Sequence, residues 1–426
     1  MNGNVDYDVL TSRELTNAGI KDGAAHAQKP TLAELDASKL IVTKTTTVRA
    51  VPVPNSKEVW SFKECTDHMV RVTYTDSHGW HAPEIVPYGP LMIMPTASCL
   101  HYATQCFEGM KVYRGYDGKL RLFRPDLNAK RLAMSSTRVA LPTFDPEEFV
   151  KILHAFLAVD GPRWLPESRP GTFLYVRPAI IGNGEQLGVI APAETLLFII
   201  ATPWPDISGD AVPPGAASKP YGLKLLASKG DTRAWPGGFG YAKVGANYGP
   251  TFVSHMEGRR RGYDQILWLL NTEKEFEVTE AGASNFFVVW KTKEGKTELV
   301  TAPLGSKIIL DGITRRSVLE LASKRLIEGS KYLEESAGIV DVVERAFTML
   351  EIEEAYREGR LMEAFVSGTA YFITPVSAIN FKDEDLEISM GSKGQGGTYA
   401  TLIKKWLIDI KYGNEQHEWG VVVEEN

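Results

Sequence analysis

Residues 237 to 250 read GGFGYAKVGANYGP and place one lysine, Lys243, among Gly237, Gly238, Gly240, Gly245 and Gly249, with Asn247 and Tyr248 close behind. Such an amine is either a solvated turn residue or a nucleophile held in a tight, partly desolvated site. A phosphate-cradling P-loop is excluded, because that motif requires G-x-x-x-x-G-K-[ST] and Val244 follows Lys243. Glu280 lies in EFEVTEAGASNFFVVW, where a strand passes through a glycine turn into a second strand, and a carboxylate there can project into a cleft. Arg138 in SSTRVALP, Thr369 in SGTA, and Ile313 and Thr314 in DGITRRSVLE add three kinds of phosphate ligand: a guanidinium, a hydroxyl, and free N–H groups at a helix start. Taken singly, each of these residues is more often structural, so both readings stay open at this point.

The elements that must position these groups can be read from periodicity. MVRVTYTDSHGW (69–80) predicts a strand and a turn, and KVYRGYDGKLRLFRP (111–125) a hairpin turning at Asp117-Gly118. DPEEFVKILHAFLAVD (145–160) predicts a helix with Asp145 as its cap, Pro146 in its first turn, and Phe149, Ile152, Leu153, Phe156 and Leu157 on one face. Strands are expected at 172–182, 195–204, 222–228, 265–270, 276–280 and 285–290, and helices near 314–328 and 398–411. PDISGDAVPPGAAS (205–218) is the linker candidate. The expected organisation is a loosely ordered tail (1–45), a smaller α/β domain (46–204), the linker, and a larger lysine-bearing domain (219–426).

The chain's 426 residues exceed what one core usually serves, and its net charge of −6 gives no electrostatic case for nucleic acid. Small molecules are the better partner class. The run from Leu196 to Ala201 is too short to span a bilayer, so no membrane segment is expected. Three cysteines (Cys65, Cys99, Cys106) form neither a disulfide framework nor a zinc pattern and suit a reducing compartment. The acids among residues 1–40 do not suit a transit peptide, so the expectation is cytoplasmic, with the mitochondrion left open. His78 and His81 lack a third ligand nearby and read as surface residues, so no metal is expected; Arg259 to Arg261 read as charges complementing a helix C-terminus before Gly262.

Six collinear blocks, LHYATQCFEGMKVYRG, RLFRPDLNAKRL, FLYVRPAIIGN, TRAWPGGFGYAKVGANYGP, LWLLNTEKEFEVTEAGASNFF and FVSGTAYFITPV, resemble the branched-chain amino acid aminotransferases, class-IV pyridoxal-phosphate (PLP) enzymes. The resemblance runs from about Trp60 to Trp419. It implies an α/β (α+β) fold of two domains with PLP at their interface, a homodimer, and transamination of leucine, isoleucine or valine with 2-oxoglutarate. Lys243 matches the lysine that holds PLP covalently, Glu280 the carboxylate paired with the pyridine nitrogen, and Tyr248 the phenol at the ring's 3-oxygen. Arg138, Ile313, Thr314 and Thr369 match the phosphate anchors. Tyr102, with the N–H groups of Thr369 and Ala370, matches the α-carboxylate site. Phe107, Tyr175 and Val189 match the apolar side-chain pocket, and Arg177 the arginine near a distal carboxylate. The glycines are expected to let the backbone approach the cofactor.

Three departures bear on specificity. Ala283 stands where many relatives carry threonine, Tyr371 and Thr374 stand where some relatives carry a Cys-x-x-Cys pair, and Tyr241, ahead of the lysine, is expected to place an aromatic ring near the cofactor. The rival readings are another class-IV PLP enzyme, a D-amino acid aminotransferase or an aminodeoxychorismate lyase, and a non-catalytic relative that keeps the fold for binding. The intact set of Lys243, Tyr248, Glu280 and Arg138 argues against the last.

Overall fold

The hairpin expected from KVYRGYDGKLRLFRP forms from strands Met110–Arg114 and Leu120–Phe123, with Gly118 at φ +79° in its turn. In this computed structural model, which describes residues 32–207, 212–215, 221–271, 275–334 and 337–425, the hairpin is part of a ten-stranded sheet. Its centre is made by His68–Thr75, Glu194–Pro203 and Phe173–Gly182, which pair antiparallel in that order before Met110–Arg114. Helix Pro146–Trp164 covers this sheet. Asp145 caps it by accepting from Glu147 N at 2.8 Å, and the apolar stripe read from the sequence is fully buried. Each such side chain stabilises the fold by roughly 1.5–3 kcal/mol. The helix runs past the expected end and keeps Pro162 inside its last turn.

The second sheet has nine strands among the described residues. Six of them close into a ring, because Glu277–Ala281 pairs both with Gln265–Leu270 and with Ser284–Lys291, while Leu361–Gly368, Phe372–Phe381 and Leu223–Ala227 complete the circuit. A closed sheet leaves few edges and encloses its own core. That core holds Leu225, Leu267, Val278, Phe286, Val366 and Val376. The hairpin that closes the ring turns at Gly282, φ +59°, immediately after Glu280, so the carboxylate sits at one end of the barrel.

Two features of chain organisation depart from the sequence reading. Residues 33–42 of the expected tail are docked on the first sheet. Ala33 N donates to His78 O and Trp80 N donates to Ala33 O, both at 2.8 Å, Ile41–Val42 pairs with Glu84–Pro87, and Leu35 enters the core. Residues 1–31 of that tail lie outside the described residues. At the other end, Gly420–Val423 returns to the first sheet and pairs with Leu120–Phe123. Arg114 then grips Glu425 through two hydrogen bonds of 2.7 Å. A strand added at an exposed edge satisfies backbone groups otherwise left open, a gain invisible to local pattern. We keep the division at 205–218 as a proposal for the two consecutive halves; residues 208–211 and 216–218 of that linker fall outside the described residues.

Candidate active site

The lysine segment is stitched to the first sheet. Cys106 and Val244 form an isolated antiparallel bridge, Phe107 N donates to the Lys243 carbonyl at 3.0 Å, and Lys243 N donates to Ser135 Oγ at 2.9 Å. Two of the glycines are needed for close approach, and the approach is to protein. A Cβ on Gly240 would lie 2.5 Å from the Ala234 methyl and the Ile308 carbonyl oxygen, and one on Gly245 would lie 2.5 Å from the Gln105 side chain. The expectation that these glycines make room for a cofactor is corrected at those positions. With its backbone fixed, the half-buried Lys243 donates from Nζ to Tyr248 Oη at 3.1 Å and stands 5.0 Å from the centroid of Phe107, whose ring packs on that of Tyr248.

Glu280 lies beyond the phenol. It is 3% exposed. One oxygen accepts from Leu310 N at 3.2 Å and Asn285 Nδ2 at 3.3 Å, and the other is ion-paired with Arg233, itself a donor to Ile308 O at 2.8 Å. Burial holds the Glu280 carboxyl above its ordinary range, against the pull of Arg233, the Leu310 N–H, Lys243 and Arg131. A cavity of about 420 Å3 borders Tyr248, Glu280, Ala283 and Leu310 and extends to His255, Arg259 and Tyr371. Arg259, in the last turn of its helix as expected, also borders this cavity. Tyr241, by contrast, packs against the first core and under Lys307. Its neighbours Gly240 and Ala242 line the cavity, which corrects the expected position of that ring.

Helix Ile313–Arg325 starts at Gly312 without a side-chain cap, so the first-turn N–H groups of Ile313 and Thr314 keep their capacity for an anion. The guanidinium beside them belongs to Arg131. Its Nη1 donates to Asp311 O at 2.7 Å, and its other edge is clamped by Glu108 at 2.6 and 2.9 Å. Arg138, the arginine expected here, is exposed at the C-terminal end of helix Pro125–Arg138, near Phe239. Seven residues of helix separate the two by about 10 Å along the axis, enough to carry the second past the site. Thr369 does reach the region, donating from Oγ1 to Gly109 O at 3.1 Å, with Ala370 following it.

Arg177 also lies against Phe107, 4.7 Å from that ring's centroid, and donates to Tyr175 Oη at 3.2 Å, while its buried Nε has no partner. Tyr175 is buried and stacks on Trp204 at 4.7 Å. Phe107, Tyr175, Arg177, Lys243, Tyr248 and Thr369 are thus brought together around one tripeptide, Phe107-Glu108-Gly109. Tyr102 and Val189 are not. Tyr102 is exposed and donates to Leu187 O at 2.7 Å, and Val189 is 86% exposed. Within this chain both stand on the surface.

The residues missed by sequence reasoning carried one usable signal. From Pro125 a helical stripe runs through Asn128, Arg131, Leu132 and Ser135, all buried. Polar types at core positions of such a stripe point to an internal network. Asn128 donates to Glu108, Arg131 pairs with Glu108, and Ser135 holds the Lys243 amide. Arg233 had no local signal.

This geometry has relatives. The family model described as Amino-transferase class IV matches residues 105–379. The mitochondrial branched-chain-amino-acid aminotransferase of Schizosaccharomyces pombe is 40% identical over 404 residues, covering 94% of this chain and 88% of its own length. The cytosolic branched-chain-amino-acid aminotransferase of Saccharomyces cerevisiae is 42% identical over 395 residues, covering 92% and 99%. Among solved structures, the branched-chain amino acid aminotransferase of Thermobaculum terrenum in its PLP form aligns at a TM-score of 0.63, over 85% of this chain and 100% of its own, with 22% identity. That last likeness concerns the fold, and it is the expected α/β (α+β) fold of the class-IV aminotransferases. With four-tenths identity over nearly the whole chain, the protein belongs to the class-IV aminotransferases, in the family of the branched-chain-amino-acid aminotransferases.

Proposed function

We propose that the chain transfers the amino group of leucine, isoleucine or valine to 2-oxoglutarate with PLP as its cofactor; its relatives are named branched-chain-amino-acid aminotransferases, which supports the reaction class. The observation that carries this reading is the contact between Lys243 Nζ and Tyr248 Oη beside the buried Glu280. The residues fit the cofactor. An uncapped helix start, the Arg131 guanidinium with two N–H groups unspent, and Thr369 would hold its phosphate. Glu280 would hold a proton on the ring nitrogen, and Lys243 would hold the aldehyde carbon. Bound PLP supplies an electron sink for the pair released when the substrate's α-proton leaves.

The chain's own part is to position and to move protons. The Tyr248 oxygen accepts from Lys243 Nζ and keeps the amine in one place, so that, once free and neutral, it can take the substrate's α-proton. The Glu280 carboxylate, already raised by burial, is most stable as an anion only when a cation faces it, and Arg233 serves that role in the free chain. Phe107 and Tyr175 offer an apolar surface to an aliphatic side chain, and the unpartnered Arg177 Nε can receive a distal carboxylate. One pocket can then serve both half-reactions.

A homodimer belongs to the same proposal. Met92, Leu100, Tyr102, Leu187, Val189 and Ile190 leave apolar surface in solvent around the Tyr102–Leu187 contact. A second copy covering this face would give Tyr102 and Val189 a substrate role that the single chain does not support. No helix among the described residues is long and apolar enough to cross a membrane. All three cysteines are free, which fits the cytoplasm as it would the mitochondrion.

The test is direct. Purified protein should be yellow, lose that colour irreversibly on borohydride treatment, and convert leucine and 2-oxoglutarate to products, whereas Lys243→Ala should keep no covalent cofactor. A colourless wild-type protein, or a Lys243→Ala variant that still binds PLP covalently, would defeat the reading.

A further inference from the structure

Glu108 is fully buried, and every bond it makes leads to a group of the candidate site. Oε1 accepts from Arg131 Nε at 2.6 Å. Oε2 accepts from Arg131 Nη2 at 2.9 Å, from Asn128 Nδ2 at 2.7 Å and from Gly109 N at 3.0 Å. The carboxylate is saturated by protein donors and has no direct use as an acid or base. Its backbone neighbours are equally committed: Phe107 N binds the Lys243 carbonyl, and Gly109 O accepts from Thr369 Oγ1. Gly109 also sits against the Tyr175 hydroxyl where no Cβ would fit.

A guanidinium has five N–H groups in a rigid fork. Here two are fixed by Glu108 and one by Asp311 O, which leaves one on Nη1 and one on Nη2. The bidentate clamp therefore decides where the two unspent groups point, and Asp311 O ties that direction to the start of helix Ile313–Arg325. We infer that Glu108 is a positioning residue for the anion end of the site: it orients Arg131 across the boundary between the two sheets so that the guanidinium and the helix N-terminus converge on one phosphate. The inference rests on the PLP reading above. Burial alone would raise the Glu108 carboxyl, but Arg131, Lys243 and Asn128 bring it below its ordinary range, so it stays an anion and the clamp stays closed.

Glu108→Gln keeps the shape and replaces one acceptor by an N–H that faces the donors of Arg131. Cofactor-free wild type and variant are titrated with PLP and, separately, with pyridoxal, which lacks the phosphate. The expected result is PLP affinity about 10- to 100-fold weaker, the cost of a misdirected charged hydrogen bond, with pyridoxal affinity unchanged. Asn128→Ala, which frees one side of Glu108 and leaves its charge, should show a smaller loss with the same selectivity, and serves if Glu108→Gln does not fold. In a cycle with Arg131→Gln the losses should be strongly non-additive. Equal losses for PLP and pyridoxal, or additive losses in the cycle, would make Glu108 a merely structural ion pair and overturn the inference. Wild type that takes up neither compound would instead overturn the functional reading itself.

Discussion

Replacing Arg131 and Arg138 separately by glutamine sets the structure against the sequence reading on one observable. Arg131 is 8% exposed, donates to Asp311 O at the start of helix Ile313–Arg325, and has two N–H groups to spare. Each charged hydrogen bond that it gives to a phosphate contributes roughly 1.5–3 kcal/mol, so losing one lowers PLP affinity by about 10- to 150-fold. The substitution also strands Glu108. Removing one partner of a buried ion pair costs about 3–5 kcal/mol of stability, so urea unfolding of Arg131→Gln should shift to markedly lower denaturant. Arg138 is exposed at the last residue of its helix, and its replacement should stay within about 0.5 kcal/mol on both measures. The assay is a PLP titration of cofactor-free protein, read by the colour formed at Lys243, with an unfolding curve beside it. Weak PLP binding by Arg138→Gln together with normal binding by Arg131→Gln would refute this account of the phosphate end.

Arg177→Met should slow the half-reaction with glutamate or 2-oxoglutarate far more than that with leucine, because only the former brings a second, distal carboxylate to the unpartnered Nε; single-turnover rates that fall equally would make the arginine structural. Lys111 lies opposite Tyr175 in the first sheet and 4.0 Å from the Phe173 ring centroid, where burial lowers its pKa to about 8 against a partial offset from Asp206, while buried Lys411 is lowered too. Between pH 8 and its ordinary 10.5 the unfolded chain binds the extra proton, so stability rises with pH through that window and is least below it. Lys111→Met should therefore gain up to about 3 kcal/mol near pH 7 and lose its advantage by about pH 11; a variant less stable than wild type near neutrality would contradict the sign.

Much of this protein is written in local pattern. The stripe Phe149, Ile152, Leu153, Phe156 and Leu157 needed only helical spacing to be assigned, since each turn returns the same face to the core. The Asp117-Gly118 turn needed only a residue able to adopt positive φ. Lys243, Tyr248 and Glu280 could be singled out because their chemistry is concentrated in short segments whose neighbours are glycines and turns. What the sequence could not decide is which distant groups converge. Arg131 and Arg138 are the same residue type on the same helix, and only the packing of that helix against Glu108 and Asp311 selects the first. Arg233 reaches Glu280 because the barrel closes between Glu277–Ala281 and Ser284–Lys291. Residues 33–42 and 420–423 become strands or edge contacts because a sheet far away in sequence offers unpaired backbone groups. Local propensity acts over one turn or one hairpin, whereas burial of charge and completion of a sheet edge are settled by groups beyond that reach, 23 residues apart for Arg131 and Glu108 and 180 for Arg131 and Asp311, and those terms place the residues of this site.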